Sequence, residues 1–594
     1  MQWVLTHPAR LLLEQTQIAA LCEELPGLTT HWQVDADMSV RVDFDLQIGE
    51  ERYEGRITYP DVFPNSPPYI RPRDGRSRWT PHQFGDGGSL CLEWRTDNWR
   101  PEVTAADMLR SAHALLSTEQ GEQAPPAAVP DAHQVTRGQN LRGEIARFVL
   151  TDQLLREFRK LPQGASAGLK TRTVFTSLTD VAFVSEMEGV GTDGKIAGLP
   201  SGIKMYFPLC AVAGTGRVFR TDQFDALPLP ATLEELTVLL LKVGYDPALV
   251  ASTEAEPNKA VLGRVVLLGG LNVHVYSLEN GSPVKLVKNA VIFDESNNRS
   301  DPEAEALRTL RVGVVGLGSI GSKVAVSLAR SGVRRFVLVD DDILVPGNVV
   351  RNELTWAAVG AHKAHAVEDQ IKLVAADVDV SVELHRIAGQ ESSLNGATLM
   401  KRLAECDLIV DATANPNVFL RLAAIARQAK VSMAWGEVFA TGYGGLIARA
   451  RPDLDPNPLA VRDSWHRYLA TQPPPPFPHA NDYDGAGDMV GDMALTAYDS
   501  DVGFIAAALT RLALDTALRR TPSHYPVPLY MIGMRKEWIF REPFDVQPVE
   551  ASGPDWQSDV EPADPEVIKK ALHALQKMMP ELPDADRTDT ATGT

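Results

Sequence analysis

A glycine-rich turn after an apolar segment holds the first residues whose types and spacing could do chemistry. Apolar residues 312–315 run into a turn that contains Gly316, Gly318 and Gly321. Backbone N–H groups of such a turn approach phosphates closely, and the N-terminus of a following helix adds partial positive charge. A second apolar segment, 336–339, ends at Asp340, which is placed to accept hydrogen bonds from ribose hydroxyls. Taken alone, this pattern indicates a dinucleotide site.

The residues after Asp340 point away from a dehydrogenase. Asp342, Asn348, Arg351 and Lys363 follow within one short region. A dehydrogenase needs one acid for a ribose and has no use for these further groups. Cations that converge on a triphosphate suit polyphosphate chemistry and the charge that develops at phosphorus. The alternative is a solvated loop with incidental charges, which the strand–turn–helix context disfavours.

A second motif lies near residue 411, after the buried segment 407–410, and it contains Asp411 and Asn415. Together with the first motif it resembles the ATP site of the ubiquitin-activating family, over about residues 306–542. That family includes the adenylating enzymes of thiamine and molybdopterin synthesis. The resemblance implies a Rossmann-like adenylation domain that uses ATP and Mg²⁺. Its nucleotide-binding residues would be Gly316, Gly318, Gly321, Asp340, Asp342, Asn348, Arg351, Lys363, Asp411 and Asn415.

The same resemblance assigns individual roles. Arg351 and Lys363 would act in catalysis, on the phosphates. The family's magnesium-binding carboxylate would fall on Ala414, which has no ligating atom. The metal would therefore be held by Asp411, with Asp342 or another acid as the alternative.

Cys91 is the candidate nucleophile of the N-terminal region. It follows a glycine turn, a proline-rich segment at 59–68 precedes that turn, and Trp99 and Pro101 follow. This order resembles a ubiquitin-conjugating enzyme over nearly all of the first 117 residues, and it implies that Cys91 carries an acyl group as a thioester. Thiolates are strong nucleophiles and thioesters react with amines. A buried structural cysteine is the alternative. His82 stands where the family has an oxyanion-stabilising asparagine, and it either takes that role or only packs.

Composition and periodicity predict a multidomain α/β protein. Together with the two resemblances, this implies a ubiquitin-conjugating-like α+β domain at 1–117, a linker at 118–139, an α/β linking domain at 140–299, a Rossmann-like adenylation domain at 300–545 and a C-terminal helix with a disordered tail at 546–594. The linker is rich in Gln, Ala, Pro and Glu and cannot form a core. In the linking domain we predict a helix at 140–160, strands at 174–176, 204–207, 261–268 and 273–277, and a leucine-rich helix near 233–243.

Charge and cysteine content narrow the function further. The net charge of −19 over 594 residues argues against nucleic-acid or membrane surfaces. We find no signal peptide and no apolar run long enough to span a bilayer. Four separated cysteines form neither a disulfide framework nor a zinc pair, so a reducing cytoplasm is expected.

The combined resemblance is to the fused enzymes of bacterial antiphage operons that work beside cyclic-oligonucleotide signalling. It implies adenylation of a partner's C-terminal carboxylate, thioester transfer to Cys91 and attachment to a target amine. The partner would be a nucleotide cyclase or a ubiquitin-like protein, and the enzyme a homodimer. A sulfur-carrier adenylyltransferase is one alternative, although zinc cysteine pairs are missing. The other alternative is a non-catalytic scaffold, which remains open because Ala414 replaces the family's magnesium-binding carboxylate.

The position of the last cysteine bears on the route of the acyl group. No cysteine follows Cys406, which precedes a buried segment and is predicted to be structural, as is Cys210. We therefore expect the adenylate to pass directly to Cys91. The alternative is that a loop cysteine has been replaced by alanine, at 486, 494 or 497.

Overall fold

The computed structural model forms two compact units, Met1–Gly143 and Glu144–Thr594. It describes residues 3–35, 39–119, 141, 144–176, 179–189, 199, 201–203, 211–251, 261–281, 283–293, 303–388, 392–476, 497–556 and 564–578. Among these residues, no helix combines the length and apolar character needed to cross a membrane.

The first unit places helices against an antiparallel meander. Its strands are Leu28–Val34 (β1), Val40–Ile48 (β2), Glu51–Thr58 (β3) and Tyr69–Pro72 (β4), paired in that order. The helices are Trp3–Thr6 (α1), Pro8–Glu24 (α2) and Ala105–Glu119 (α3). Alternate residues of β2, among them Val42, Phe44 and Leu46, are buried against apolar residues of α2 and α3. The predicted order of helix, meander and helix is confirmed.

A closed seven-stranded barrel opens the second unit. Its strands are Ala146–Leu150 (β5), Ser166–Phe175 (β6), Asp180–Met187 (β7), Ala211–Arg220 (β8), Val261–Leu268 (β9), Val273–Glu279 (β10) and Lys285–Phe293 (β11). Around the barrel they run β10-β11-β5-β7-β6-β8-β9. Helices Asp152–Lys160 (α4), Leu233–Lys242 (α5) and Ala248–Ala251 (α6) accompany them, with a 3₁₀ turn at Asp222–Ala226.

One prediction in this region is wrong. Residues 146–150, predicted as part of a helix over 140–160, form β5, and only Asp152–Lys160 is helical. Phe148 and Leu150 alternate into the core, and β5 pairs in parallel with both β7 and β11. These partners are distant in sequence, so local periodicity does not reveal them. The predicted strand at 204–207 and Cys210 lie outside the described residues.

An eight-stranded sheet follows the barrel. Its strands are Arg311–Val315 (β12), Arg335–Val339 (β13), Asp379–Glu383 (β14), Leu408–Asp411 (β15), Ser432–Val438 (β16), Gly444–Ala450 (β17), Leu529–Gly533 (β18) and Val546–Val549 (β19). The order across the sheet is β14-β13-β12-β15-β16-β17-β18-β19. The first five are parallel and the last three antiparallel. In chain order the parallel strands run 3-2-1-4-5, the order of doubly wound sheets.

Helices cover both faces of this sheet. They are Ala304–Thr309 (α7), Ser319–Ser331 (α8), Lys363–Val374 (α9), Ser393–Ala404 (α10), Pro416–Ala429 (α11), Pro458–Ala470 (α12) and Asp499–Ala517 (α13); Pro565–Met578 (α14) has no buried residue. Val314 and Val410 pack in one apolar layer, whereas Val315, Ile409 and Met433 pack in the other. Four of the parallel strands, β12, β13, β15 and β16, are buried on both faces over most of their length, as parallel strands generally are, whereas the outermost strand β14 is mostly half-buried. Their carboxyl ends meet at one edge of the sheet, which we call the carboxyl edge.

Candidate functional site

The glycine turn after β12 is closely packed against its neighbours. Gly316 has φ of +80°, and a Cβ there would lie 2.7 Å from Cγ2 of Thr413, a residue that follows β15. A Cβ on Gly321 would lie 1.8 Å from the carbonyl oxygen of Gly316. A Cβ on Gly318 would meet nothing within 4 Å. The turn is therefore packed on the protein side and open at Gly318, where α8 begins.

Two polar side chains hold the next residue of this turn, Leu317, in place. Asp340 accepts hydrogen bonds from the backbone N–H groups of Leu317 at 2.5 Å and Asp342 at 2.9 Å. Asn352 is buried and donates to the carbonyl of Leu317 at 3.2 Å. Burial raises the pKa of Asp340. Each carboxylate oxygen of Asp340 keeps a lone pair for a ligand.

Lys363 begins α9 and is 7% exposed. Its ammonium donates to the carboxylate of Asp342, and its backbone N–H donates to the Asp342 carbonyl at 3.0 Å. Burial alone would raise the pKa of the Asp342 carboxyl. The hydrogen bond from Lys363, the backbone N–H of Ile343 and the charges of Lys363 and Arg386 together outweigh burial, so the pKa lies below its usual value. Asn348 accepts from the backbone N–H of Val345 at 3.2 Å.

Arg351 is half-buried, and its guanidinium makes no hydrogen bond or ion pair with any residue that the structure describes. It lies on the same β13–α9 connection as Asp342, Asn348 and Lys363. A guanidinium presents five donors in a rigid fork that matches phosphate and carboxylate geometry. Arg351 is thus a cation with its binding capacity still available.

The end of β15 brings acidic groups to the same edge. Asp411 is 4% exposed and accepts from the Thr413 backbone N–H at 3.0 Å and hydroxyl at 2.7 Å. Burial raises its pKa. Asp411 pairs with Trp435 on β16, so Glu437, two residues further along, faces the same side of the sheet. Burial raises the pKa of Glu437 to about 7.

Asn415 and Ala414 occupy special backbone positions after β15. Asn415 caps α11 and accepts from the backbone N–H groups of Asn417 at 2.9 Å and Val418 at 3.3 Å. The structure thus gives Asn415 a capping role, and its contact with nucleotide stays a prediction. Ala414 has φ of +52°, a conformation in which Asp and Asn are enriched.

The structure therefore gathers most of the predicted nucleotide residues at the carboxyl edge, on the turn after β12, the β13–α9 connection and the end of β15. Sequence reasoning missed Asn352 and Glu437. Asn352 directly follows Arg351, and only its burial marks it. Glu437 has no local signal, because its proximity to Asp411 depends on the register of two strands.

The Cys91 site lies in the first unit, on loops after β4. The backbone N–H of Cys91 donates to the carbonyl of His82 at 2.8 Å, so the two residues are adjacent. The loop after Cys91 is held by Asn98, which accepts from the Arg95 N–H at 2.7 Å and donates to the Glu93 carbonyl at 2.8 Å. The thiol is half-buried, which raises its pKa, whereas the charge of Arg95 acts in the opposite direction.

Cys406 differs from Cys91 in its burial. Cys406 is buried, and burial raises its pKa to about 12, so it is protonated and unreactive at neutral pH. This agrees with its predicted structural role. Cys210 lies outside the described residues, as do Ala486 and Ala494. Ala497 is described and directly precedes Tyr498, the N-cap residue of α13.

Comparison with known proteins identifies one domain. Residues 294–457 match the model of the ThiF family, so the chain contains a ThiF-family domain. The uncharacterized protein y4qC of Sinorhizobium fredii is 29% identical over 454 residues, which cover 70% of this chain and 73% of that protein.

Two shorter matches carry functional names. The ATP-dependent ubiquitin transferase-like protein Cap2 of Vibrio cholerae is 32% identical over 138 residues, or 22% of each chain. The ubiquitin-conjugating enzyme E2 27 of Arabidopsis thaliana is 31% identical over 77 residues, 13% of this chain and 39% of that enzyme. Each match spans less than half of the named protein. The predicted resemblance to fused activating and conjugating enzymes is confirmed at the level of these relatives.

Proposed function

We propose that this chain activates the C-terminal carboxylate of a partner protein with ATP and transfers it through Cys91 to an amine. The observation that carries the proposal is the available guanidinium of Arg351 at the carboxyl edge, close in sequence to Lys363 within a ThiF-family domain. The names of the relatives, an ATP-dependent ubiquitin transferase-like protein and a ubiquitin-conjugating enzyme, favour the same chemistry.

The adenylation step gives the carboxyl-edge residues their roles. The partner's carboxylate oxygen attacks the α-phosphorus of ATP, and pyrophosphate leaves with the electrons of the broken P–O bond. The phosphates would lie at Gly318 and the N-terminus of α8. Asp340 accepts hydrogen bonds from the ribose hydroxyls. Arg351 and Lys363 stabilise the negative charge that develops on the phosphate oxygens. Asp342 orients Lys363 through their ion pair.

The carboxyl edge offers two neighbouring carboxylates that could hold magnesium. Magnesium commonly takes one or two carboxylates together with phosphate oxygens and water. Asp411, with Glu437 on the same face, would hold it and would thereby take the place of the carboxylate missing at Ala414. Within the described residues no group of three His, Cys, Asp or Glu side chains is suited to a metal. Bound magnesium would neutralise phosphate charge.

Acyl transfer gives Cys91 its role. The thiolate attacks the acyl carbon of the adenylate and AMP leaves, because AMP is a far better leaving group than carboxylate oxygen. A target amine then attacks the thioester and releases the thiol. Two active sites on one chain raise the effective concentration for the second step. Transfer is direct, since the described residues after Cys406 include no thiol.

The biological setting follows from the same resemblance and is part of the proposal. The partner is a nucleotide cyclase or a ubiquitin-like protein with an exposed C-terminus, and the enzyme is a homodimer. We further propose a cytoplasmic role in antiviral defence.

Exchange of labelled pyrophosphate into ATP tests the adenylation step. We expect exchange with a partner that has a free C-terminus, and none when that C-terminus is amidated. A sulfur-carrier adenylyltransferase would show exchange with a sulfur carrier but would form no thioester on Cys91. Absence of exchange with every C-terminal partner would favour the scaffold alternative.

Cys91→Ala tests the transfer step. We expect this variant to retain pyrophosphate exchange and to lose the thiol-sensitive adduct completely. Cys22→Ala is a matched control, because Cys22 lies in the same unit and is not placed in the site. An adduct that persists in Cys91→Ala, or one found on Cys406, contradicts direct transfer to Cys91.

A further inference from the structure

The interior of the barrel has an apolar half and a polar half. Leu169, Val184, Val218, Val266 and Val275 belong to the apolar cluster inside the barrel. Side chains alternate across a strand, so residues two or four positions away along the same strands also face inward. Towards the other end these inward positions hold polar residues, among them Thr171, Thr173, Arg264 and Ser277, all of them buried.

Arg264 is the exceptional residue of the polar half. It is 4% exposed, and its guanidinium makes no hydrogen bond or ion pair with any residue in the described part of the chain. Burial lowers its pKa to about 10, so it is charged at neutral pH, and Asp180 and Glu279 act in the opposite direction. An ion that is buried without a hydrogen-bonded counter-charge is strongly unfavourable.

Two strand positions bring Thr171 close to this guanidinium. An ideal Cβ on Gly214 would lie 2.9 Å from Oγ1 of Thr171 and 3.9 Å from Nη1 of Arg264. The hydroxyl of Thr171 and Nε of Arg264 are both buried, and neither has a hydrogen-bond partner among the described residues. The glycine thus leaves a position over β8 where a donor of Arg264 and the hydroxyl of Thr171 converge.

Asn289 adds an acceptor to the same interior. Its amide nitrogen donates to the Ser277 hydroxyl at 3.1 Å, and Ser277 pairs with Arg264 across β9 and β10. The amide oxygen of Asn289 is buried and accepts no hydrogen bond from the part of the chain that the structure describes. Donors from Arg264 and Thr171, together with this acceptor, match an anionic oxygen group that also carries an N–H or O–H.

We propose that the polar half of the barrel binds a small oxyanion, a carboxylate or a phosphate, that pairs with Arg264 and Thr171. Barrels of about eight strands have interiors wide enough for side chains or for one small ligand. The ligand would supply a hydrogen-bonded counter-charge, which no described side chain gives to Arg264. This site is separate from the nucleotide residues at the carboxyl edge and does not depend on their function.

Thermal unfolding of the full chain in titrations with sodium phosphate and with N-acetylglycine tests the proposal. We expect a saturable rise in the unfolding temperature with at least one probe. If both give a rise, the probe with the lower half-saturation concentration identifies the source of the oxyanion. Arg264→Met should lose this rise. Arg172→Met, on the outward face of β6, is the matched control and should keep it.

A second variant keeps the test decisive if Arg264→Met does not fold. Thr171→Val preserves shape and removes one hydroxyl, so it should weaken binding about tenfold. No saturable rise in the natural protein, or a rise of equal size in Arg264→Met, would overturn the proposal. Unchanged affinity in Thr171→Val would also overturn it. If the oxyanion raises the unfolding temperature by binding only at the carboxyl edge, the rise will be equally large in Arg264→Met, and this result overturns the proposal.

Discussion

The carboxyl edge of the eight-stranded sheet and its opposite edge differ in whether their charged side chains are paired within the protein. At the carboxyl edge, Arg351 makes no ion pair with any described residue, and Lys363 pairs with an exposed carboxylate. At the other edge, Arg449 and Asp515 are both 0% exposed and are joined at 2.6 Å. Arg449 also donates to Ser523 and to the Tyr525 carbonyl, each at 2.8 Å.

The edge that holds Arg449 and Asp515 also contains a second buried arginine and a second buried acid. Arg451 and Asp455 are joined at 2.8 Å, and Asp455 lies 3.3 Å from Arg449. Two cations and two anions therefore balance inside the protein. We infer that charge balanced within the fold serves stability, whereas charge left unbalanced at an edge serves a ligand. Each of the following predictions separates these two roles.

Asp515→Ala should have the largest effect, and on stability only. It leaves Arg449 buried without its hydrogen-bonded counter-charge, which typically costs about 3–5 kcal/mol. Urea unfolding of the second unit measures the loss. Pyrophosphate exchange at low temperature should be unchanged in the variant that remains folded. A loss below about 1 kcal/mol would show that this network does not stabilise the sheet.

Arg351→Ala should show the reverse pattern. Loss of one transition-state contact typically lowers the rate by about 10²–10³-fold, so pyrophosphate exchange should fall by that factor. The free energy of unfolding should change by less than about 0.5 kcal/mol, since the guanidinium of Arg351 has no partner within the described ranges. Lys372→Ala, which removes a half-buried ion pair within α9, is the control and should leave the exchange rate unchanged. Exchange at the natural rate would remove Arg351 from the site.

The double variant Arg449→Met/Asp515→Leu sharpens the comparison. Replacement of a buried ion pair by apolar groups often leaves the free energy of unfolding unchanged, whereas removal of only one partner lowers it. We expect the double variant to recover at least half of the stability that Asp515→Ala loses. Urea unfolding of both variants gives the difference. A double variant as unstable as the single one would assign the loss to packing and not to charge.

The smallest effect concerns Asp342 and pH. Its folded-state pKa is lowered, so the Lys363–Asp342 pair adds stability above the unfolded pKa of about 3.8, and this contribution is lost as pH falls through the folded value. Asp342 is exposed, so the contribution is below about 1 kcal/mol. NMR titration of the Asp342 carboxyl checks the direction. A midpoint above 3.8 would contradict the pair.

Local motifs allowed much of the carboxyl edge to be predicted. The turn at Gly316, the acid Asp340 and the cation Lys363 lie within about fifty residues, and each has a signature in its immediate neighbours. Glu437 could not be found this way, because it joins Asp411 only through the parallel register of β15 and β16. The same limit applies to Asn352, whose role rests on a contact with Leu317.

Strand pairing over long distances explains the other gaps. Strand β5 was not predicted, since its partners β7 and β11 come later in the chain. Barrel closure depends on β8 meeting β9 in parallel, and the inward position of Arg264 follows from that pairing. A periodicity of two shows that a strand alternates but does not say which of its faces will be enclosed.

The central position of β12 has a consequence for synthesis. Its neighbours are β13, which follows soon after, and β15, which begins nearly a hundred residues later at Leu408. While the ribosome is still making the intervening segment, one side of β12 has no partner, and its unpaired backbone resembles an exposed sheet edge. The acid of Asp411 reaches the glycine turn only when β15 fills that gap. A nascent chain should therefore gain affinity for nucleotide late and abruptly, after residue 411 has emerged.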